Sequence, residues 1–574
     1  MNFRAQSKRL LRHVGFILVV SLSSQVVFAF QGKRTSTQRK QTATQSATPD
    51  PRLNAAAALL QAGRFDEGEA ALRNLLQEEP GNYGAHALLG VVLDQRGKSD
   101  EAEREYKAAL HIKSDYVFAL SNLGVLLART NRPAEAIARF ESVLRLEPGH
   151  EQAIFNLGAL YAARGDYAHA IPLLEKAAGY LPPNSKIGPD ADRALILTLV
   201  NAYVHVGRQN EALKLSHQLE EVAGADPRTL FTLALSLAEG HEYAEAIRLF
   251  KRTNELRPQT YEVLYNLGLA LYNLDRFAEA RDALQGASTL APDQADPYYR
   301  LGLVASATGD TKAALTYWTK ALELRPVFAE ANFMIGEELL KNKLAEKSIP
   351  FYERAAEQSQ GQLVYRLRLG VANVRGQRYD RAREVFEQAL KRFPNNPNLY
   401  FLLGYAGRAE GRYEEAVAAF KSALKLQPDN ADVLANLGYI ASQRGENAEA
   451  ESLLRRAIAL NPNGFPPYHD LGRLLVKVKR YDEALPLLRK AVSLNATDPG
   501  VHYQLFLAYS RLKKQEEADK ELAEFKRLDV GNRHDATPLM ETVPTQAGME
   551  VAPLPPLPAK VSGDTTKPRV PGPF

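Results

Sequence analysis

Gly90 to Ser99, spelled GVVLDQRGKS, ends in the Gly-Lys-Ser of a phosphate-binding loop. Such a loop needs a Gly five residues before its second Gly, so that the backbone can wrap a phosphate; here that place holds Val92, and no strand precedes it. The eleven His residues give no His-Glu-x-x-His, and no pair at ligand spacing has a third residue to complete a metal site. There is no Gly-x-Ser-x-Gly, hence no nucleophile elbow. There is no cysteine, which excludes disulfides, thiolate metal sites, a Cys nucleophile and a lipid-modified Cys, and fits an oxidising compartment. The acidic pairs Glu414-Glu415 and Glu516-Glu517 have Lys or Arg nearby and read as solvated charge rather than general acid–base groups. No catalytic residue, cofactor site or metal site is expected.

Charge narrows the partners. The net charge is +5, but residues 1–48 hold eight cations (Arg4, Lys8, Arg9, Arg12, Lys33, Arg34, Arg39, Lys40) and no acid, which leaves −3 for the remainder. A body so near neutrality has no broad basic field to hold a polyphosphate, so nucleic acid is not expected as a partner.

The elements that position the side chains are written in a period. Gly268, Gly302, Gly336, Gly370, Gly404, Gly438 and Gly472 are spaced by 34, as are Gly90, Gly124 and Gly158. Ala382, Ala416, Ala450 and Ala484 keep that period, and so do Pro258, Pro292, Pro326, Pro394, Pro428 and Pro462. Residues 397–430 show the chemistry of one unit. An apolar helix from about Leu399 to Ala409 meets a turn at Gly411-Arg412. An amphipathic helix follows from Tyr413 to Leu426, with Ala416, Phe420 and Ala423 on one stripe. Pro428 stops it, because proline cannot continue a helix. Gly404 and Ala416 are small so that the paired helices can approach closely. The aromatic Trp318 holds the place taken elsewhere by Phe or Leu and is expected in the core.

These residues resemble the tetratricopeptide-repeat family: small at position 8, Gly near 15, aromatic near 17, Ala at 20, aromatic or Leu at 24, Ala at 27 and Pro at 32. Position 8 is Gly in ten of fourteen units, position 20 is Ala in twelve, and position 32 is Pro in nine. The resemblance implies an all-α, right-handed superhelical solenoid of about fourteen 34-residue helix-turn-helix repeats. Repeats 1–4 span 49–184, residues 185–192 break the frame, and repeats 5–14 span 193–532. Val200, Gly224, Ala234 and His241 depart from the pattern in repeats 5 and 6, where an irregularity is expected. Repeat 14, with Phe506 at position 8 and a densely charged second helix from Glu516 to Leu528, reads as the polar cap a solenoid needs.

The ends read differently. Four cations, an apolar run from Val14 to Val20 and Val27-Phe28-Ala29 form a secretory signal over 1–29, and an uncleaved anchor is the competing reading. Residues 30–48 read as a flexible linker. Residues 533–574, with Pro553-Leu554-Pro555-Pro556-Leu557-Pro558, read as a disordered Pro-rich tail. The expected address is periplasmic or secreted.

The resemblance further implies that the first helix of each repeat lines a concave groove through positions 2, 5, 6, 9, 12 and 13. Here these give Asn122 and Asn156 in repeats 3 and 4. In repeats 7 to 13 they give Tyr265, Asn266, Tyr272, Tyr299, Arg300, Phe333, Arg368, Arg375, Tyr405, Arg408, Asn436, Tyr439, Arg473 and Lys477. Asn can grip a peptide backbone through both donor and acceptor, and Tyr and Arg dominate binding surfaces. The expected function is a non-catalytic scaffold that binds extended protein or peptide segments with acidic stretches. The alternative is an accessory subunit of a polysaccharide export, synthesis or secretion machine.

Overall fold

The computed structural model describes residues 50–179, 193–224 and 226–532. The leader over 1–29, the linker 30–48, the insertion 185–192 and the tail 533–574 lie outside the described residues. Among the described residues there are 28 helices and no strand. They form two compact units, one ending at Pro292 and one beginning at Asp293. Within each unit the helices follow one another as antiparallel pairs, one pair per 34-residue repeat, and no described helix is long and apolar enough to cross a membrane.

Local chemistry sets the helix ends. The first helix of repeat 11 runs Pro397–Glu410, a turn longer in all than the sequence suggested. The Asn396 side chain caps it by accepting the Leu399 N–H at 3.1 Å, and Pro397 sits where a missing N–H costs nothing. Its partner, Tyr413–Leu426, ends just before Pro428 and buries Ala416, Ala419, Phe420 and Ala423. The last helix, Gln515–Asn532, extends past the charged segment read as a cap.

The core of each repeat is a contact between position 8 of the first helix and position 24 of the second. A Cβ placed on Gly370 would lie 2.1 Å from a Phe386 ring carbon, and one on Gly302 would lie 2.3 Å from Trp318 Nε1. Trp318 is fully buried and donates to the Tyr299 carbonyl at 3.1 Å. The departures in repeat 5 follow from this contact. Val200 fills position 8, and Ser216 replaces the large side chain at position 24; both are buried. Volume is exchanged between the two positions, so the helices keep their approach.

The turn at position 15 takes a positive φ in all fourteen repeats. Seven of these residues are Gly, as at Gly411 (83°); the others are Asn131, His241, Asp275, Lys343, Gln377, Lys479 and Lys513, with φ between 56° and 65°. A side chain costs free energy in that left-handed conformation. Lys479→Gly is therefore expected to raise stability by about 0.5–1 kcal/mol in chemical denaturation, whereas Gly411→Val lowers it. Equal or opposite shifts would show that the helix pair, not the turn, sets the cost.

The outer helices are laced by ion pairs. Arg480 reaches Glu483 in its own repeat and Glu451 in the repeat before, both at 2.6 Å, and Arg132 does the same with Glu135 and Glu103. Hydrogen bonds from the Arg480 guanidinium hold the Glu451 and Glu483 carboxyls below the usual carboxylate range. Exposed as they are, these pairs set register between neighbours more than they add stability. Glu414 and Glu415 belong to this network, paired with Arg444 at 2.8 Å and Arg383 at 2.6 Å.

Candidate functional site

The sixteen residues read as groove-lining divide between the two units: Asn122, Asn156, Tyr265, Asn266 and Tyr272 lie in the first, the other eleven in the second. All sixteen stand on first helices of their repeats. Their surroundings differ widely.

Four of the rings are packed rather than open. Tyr265, Tyr299, Phe333 and Tyr405 are at most 4% exposed. The Phe333 ring lies 4.8 Å from that of Tyr365 in the next repeat, and the Tyr299 ring 5.0 Å from Phe328. The expectation that these four present free surface is corrected. Tyr265, Tyr299 and Phe333 at position 5 and Tyr405 at position 9 are covered by neighbouring side chains of the stack, and burial there favours apolar area. Tyr272 is half-buried, with its ring edge-on to Phe277 at 5.7 Å.

The asparagines are likewise turned inward. Asn122, Asn266 and Asn436 each donate through Nδ2 to the backbone carbonyl four residues earlier in their own helix, at 2.7–2.8 Å. Asn266 is fully buried and Asn156 nearly so. The Oδ1 atoms of Asn266 and Asn436 and the Nδ2 of Asn156 are buried without a hydrogen-bond partner. Asn122, Asn266 and Asn436 therefore do not offer a free donor beside their acceptor to a peptide backbone. Sequence could place Asn at position 6 but not say whether its donor was already spent on the helix.

Cations separate into neutralised and unneutralised groups. Arg300 is 8% exposed. Arg368 pairs with Glu337 at 3.1 Å, and Glu337 also accepts from the Tyr352 hydroxyl at 2.6 Å. Arg473 pairs with Asp470 at 3.1 Å. Glu337 and Asp470 were missed from sequence; both occupy groove positions, 9 and 6 of their repeats, and their opposite charge was the available clue. By contrast, among the described residues no carboxylate lies within ion-pair distance of Arg375, Arg408 or Lys477. Arg375 Nε is buried without a hydrogen-bond partner, and Lys477 Nζ donates to the Ser442 carbonyl at 3.0 Å.

Around Arg408 the residues converge. Its guanidinium carbon lies 5.0 Å from the Tyr405 ring centre and 4.8 Å from that of Tyr439, and the Arg473 guanidinium carbon lies 5.0 Å from the Tyr439 ring. Tyr405, Tyr439 and Arg473 are the same position of three successive repeats, so the 34-residue period itself builds this alternation of ring and cation. Burial pushes the Tyr405 phenol up, against the opposing pull of Arg408. Cations held over ring faces are attracted by the ring quadrupole and fixed in orientation. Among the described residues no cluster of His, Asp and Glu suits a metal ion.

Comparison with known proteins agrees with the repeat chemistry. Family models described as tetratricopeptide repeat match residues 122–187, 231–295, 299–362 and 367–431, further ones match 50–122 and 408–475, and another matches 465–498. No curated protein matches the chain. Among solved structures it is similar to yeast Tom70 (16% identity, 80% of this chain and 98% of that one, TM-score 0.30). It is also similar to the APC/C hetero-tetramer Cut9–Hcn1 (14% identity, 80% and 96%, TM-score 0.33). A third is MamA (25% identity, 28% and 95%, TM-score 0.26). Arrays of this repeat are in general scaffolds for protein–protein interaction. By its helix pairs, its regular spacing of small and aromatic core positions and the repeat models matched along most of its length, the chain belongs to the tetratricopeptide-repeat family.

Proposed function

We propose that the chain is a non-catalytic scaffold of the cell envelope or secreted fraction, and that it binds extended protein segments with acidic stretches along the first helices of its second unit. The observation that carries this reading is the half-buried pair Arg408 and Tyr439 of two successive repeats, whose guanidinium and ring lie 4.8 Å apart, with the buried Tyr405 ring supporting the guanidinium from its own helix. Rigid aromatic and guanidinium groups brought together at a surface are what binding hot spots are made of. The signal read over 1–29 and the absence of cysteine support the address. The alternative, an accessory subunit of a polysaccharide or secretion machine, would use the same tyrosines to meet glycan or a membrane partner. Three of the position-6 amides donate to their own helices, so the scaffold reading rests on the rings and cations rather than on the asparagines.

The test is co-purification from the envelope and medium fractions of the native cell, with bound protein and bound glycan assayed separately. Protein is expected to be retained, and retention is expected to fall about tenfold in an Arg375→Ser/Tyr439→Ser/Lys477→Ser chain, equivalent to about 1.4 kcal/mol. Arg455→Ser/Arg456→Ser, on the exposed face of a second helix, serves as control. Glycan retained without protein would replace the scaffold by the alternative. Loss only in the control would move binding to the outer face, and absence of the chain from both fractions would remove the address.

A further inference from the structure

We propose that the chain's own segment Val551–Pro558 folds back as a polyproline II helix and docks, through Val551, Leu554 and Leu557, on the aromatic end face of repeat 14 formed by Tyr503, Phe506 and Phe525. This surface is separate from the groove, and the inference does not depend on how the groove is read.

The end face is apolar where its equivalents are covered. In repeats 7 to 13 the large side chain at position 24 and the Ala at position 27 are at most 1% exposed, as with Phe420 and Ala423 or Leu488 and Ala491. Tyr265, Tyr299 and Phe333 at position 5 are 3% exposed. In repeat 14 these three positions hold Tyr503, Leu522 and Phe525. Tyr503 is 40% exposed, and Leu522 and Phe525 are half-buried. The Tyr503 ring lies 5.2 Å from that of Phe525 and 6.1 Å from that of Phe506. The repeat pattern does not continue over this face, since Met540 and Asp564 stand where positions 8 and 32 would fall next. Terminal repeats of a solenoid turn a polar face outward. The charged helix Gln515–Asn532 does so along its exposed side, at Glu516, Glu517, Asp519 and Lys520, but not on the side that carries the rings. An open aromatic patch of this kind marks a docking surface.

Its occupant is not a further repeat or a second copy stacked as one. Position 27 is Ala elsewhere because the following helix must approach closely, and Phe525 would hold such a helix off. The segment Val551–Pro558 suits the patch instead. Pro553, Pro555, Pro556 and Pro558 fix their own backbone near the polyproline II region, so little ordering entropy remains to be lost. That helix has three residues per turn, which places Val551, Leu554 and Leu557 along one edge, about 9 Å apart. Aromatic-lined surfaces take polyproline segments in this way. The tether is long enough. Residues 533–550 separate the last helix from the segment, and a coil of that length spans about 20–25 Å. Phe525 stands seven residues before the helix end, about 10 Å along its axis. A tether of this kind supplies an effective concentration on the order of millimolar, so a weak contact suffices.

The experiment is hydroxyl-radical footprinting of the full chain, with the oxidation rate of Tyr503 read by mass spectrometry and Tyr439 as internal reference. Leu554→Asp/Leu557→Asp is expected to raise the Tyr503 rate about threefold, as loss of a tethered contact would, and to leave Tyr439 unchanged. Leu557→Pro/Pro558→Leu keeps the composition but breaks the three-residue period, and is expected to raise the rate as well. In the reciprocal variant, Tyr503→Ser/Phe525→Ser, trypsin should cut after Lys560 about threefold faster, while the cut after Arg569, outside the docked segment, keeps its rate. Protection of Tyr503 should not change when the protein is concentrated tenfold. Equal Tyr503 rates in the parent and Leu554→Asp/Leu557→Asp overturn the proposal, whether or not the ring variant folds. Full protection in Leu557→Pro/Pro558→Leu overturns the polyproline edge. Protection that grows with concentration moves the contact to a second copy and overturns docking within one chain.

Discussion

Trp318→Ala is expected to destabilise repeat 8 by about 3–5 kcal/mol, the usual cost of emptying a buried aromatic site in a core. The indole is fully buried, lies against Gly302, and donates to the Tyr299 carbonyl at 3.1 Å. Removing it leaves a cavity between the paired helices, and the glycine across from it cannot fill the space. In a stack of repeats, stability is a sum of unit and neighbour terms, so the loss should appear locally. Hydrogen exchange is the appropriate measurement. Amides of Ala295–Ala307 and Thr311–Leu324 should lose protection, while those near repeats 2 and 3 keep theirs. Trp318→Phe should cost much less, since Phe140, Phe250, Phe386 and Phe420 hold the equivalent place in other repeats. Uniform loss of protection along the chain, or a Phe variant as damaged as the Ala variant, would refute the local packing account.

Gly370→Val is expected to destabilise by about 1–3 kcal/mol through overpacking. The nearest ring carbon of Phe386 stands 2.1 Å from where the first side-chain carbon must go, and that ring is itself fully buried, so neither group can yield without moving a helix. The chain contains its own solution to this conflict in repeat 5, where Val200 at position 8 is matched by Ser216 at position 24. Adding Phe386→Ser to Gly370→Val should therefore recover part of the loss. The double variant should be more stable than the two single effects predict by at least about 1 kcal/mol, the coupling expected of residues in direct contact. Urea denaturation of the four members of the cycle checks this. Strict additivity would mean that the two positions do not share one packing volume.

The repeat, its alternation of paired helices and its core were legible because each depends on local or periodic chemistry. Gly at position 8, Ala at 20 and Pro at 32 recur every 34 residues, and each has one steric meaning wherever the helix pair forms. Trp318 and the exposed acidic pair Glu414-Glu415 are placed as their types and phase suggested. The groove residues were legible only as positions. Phase along a helix says which side a residue faces, but not how much of that side the neighbouring repeat covers. Tyr405 and Tyr439 share position 9, yet the first is buried and the second half-open.

What the amino-acid sequence determined alone is the unit: two antiparallel helices, where they stop, and which small and large side chains meet between them. Tertiary structure decided the rest, because it depends on contacts between residues far apart in the chain. At position 15 seven side chains other than glycine accept a left-handed turn, since the packed helices on either side leave the backbone no other path. Arg368 is neutralised by Glu337, 31 residues before it, whereas Arg408 meets two aromatic rings and, among the described residues, no acid. The sequence shows identical residue types at both places. Only the stacking of one repeat on the next determines which charge meets an acid and which meets an aromatic ring.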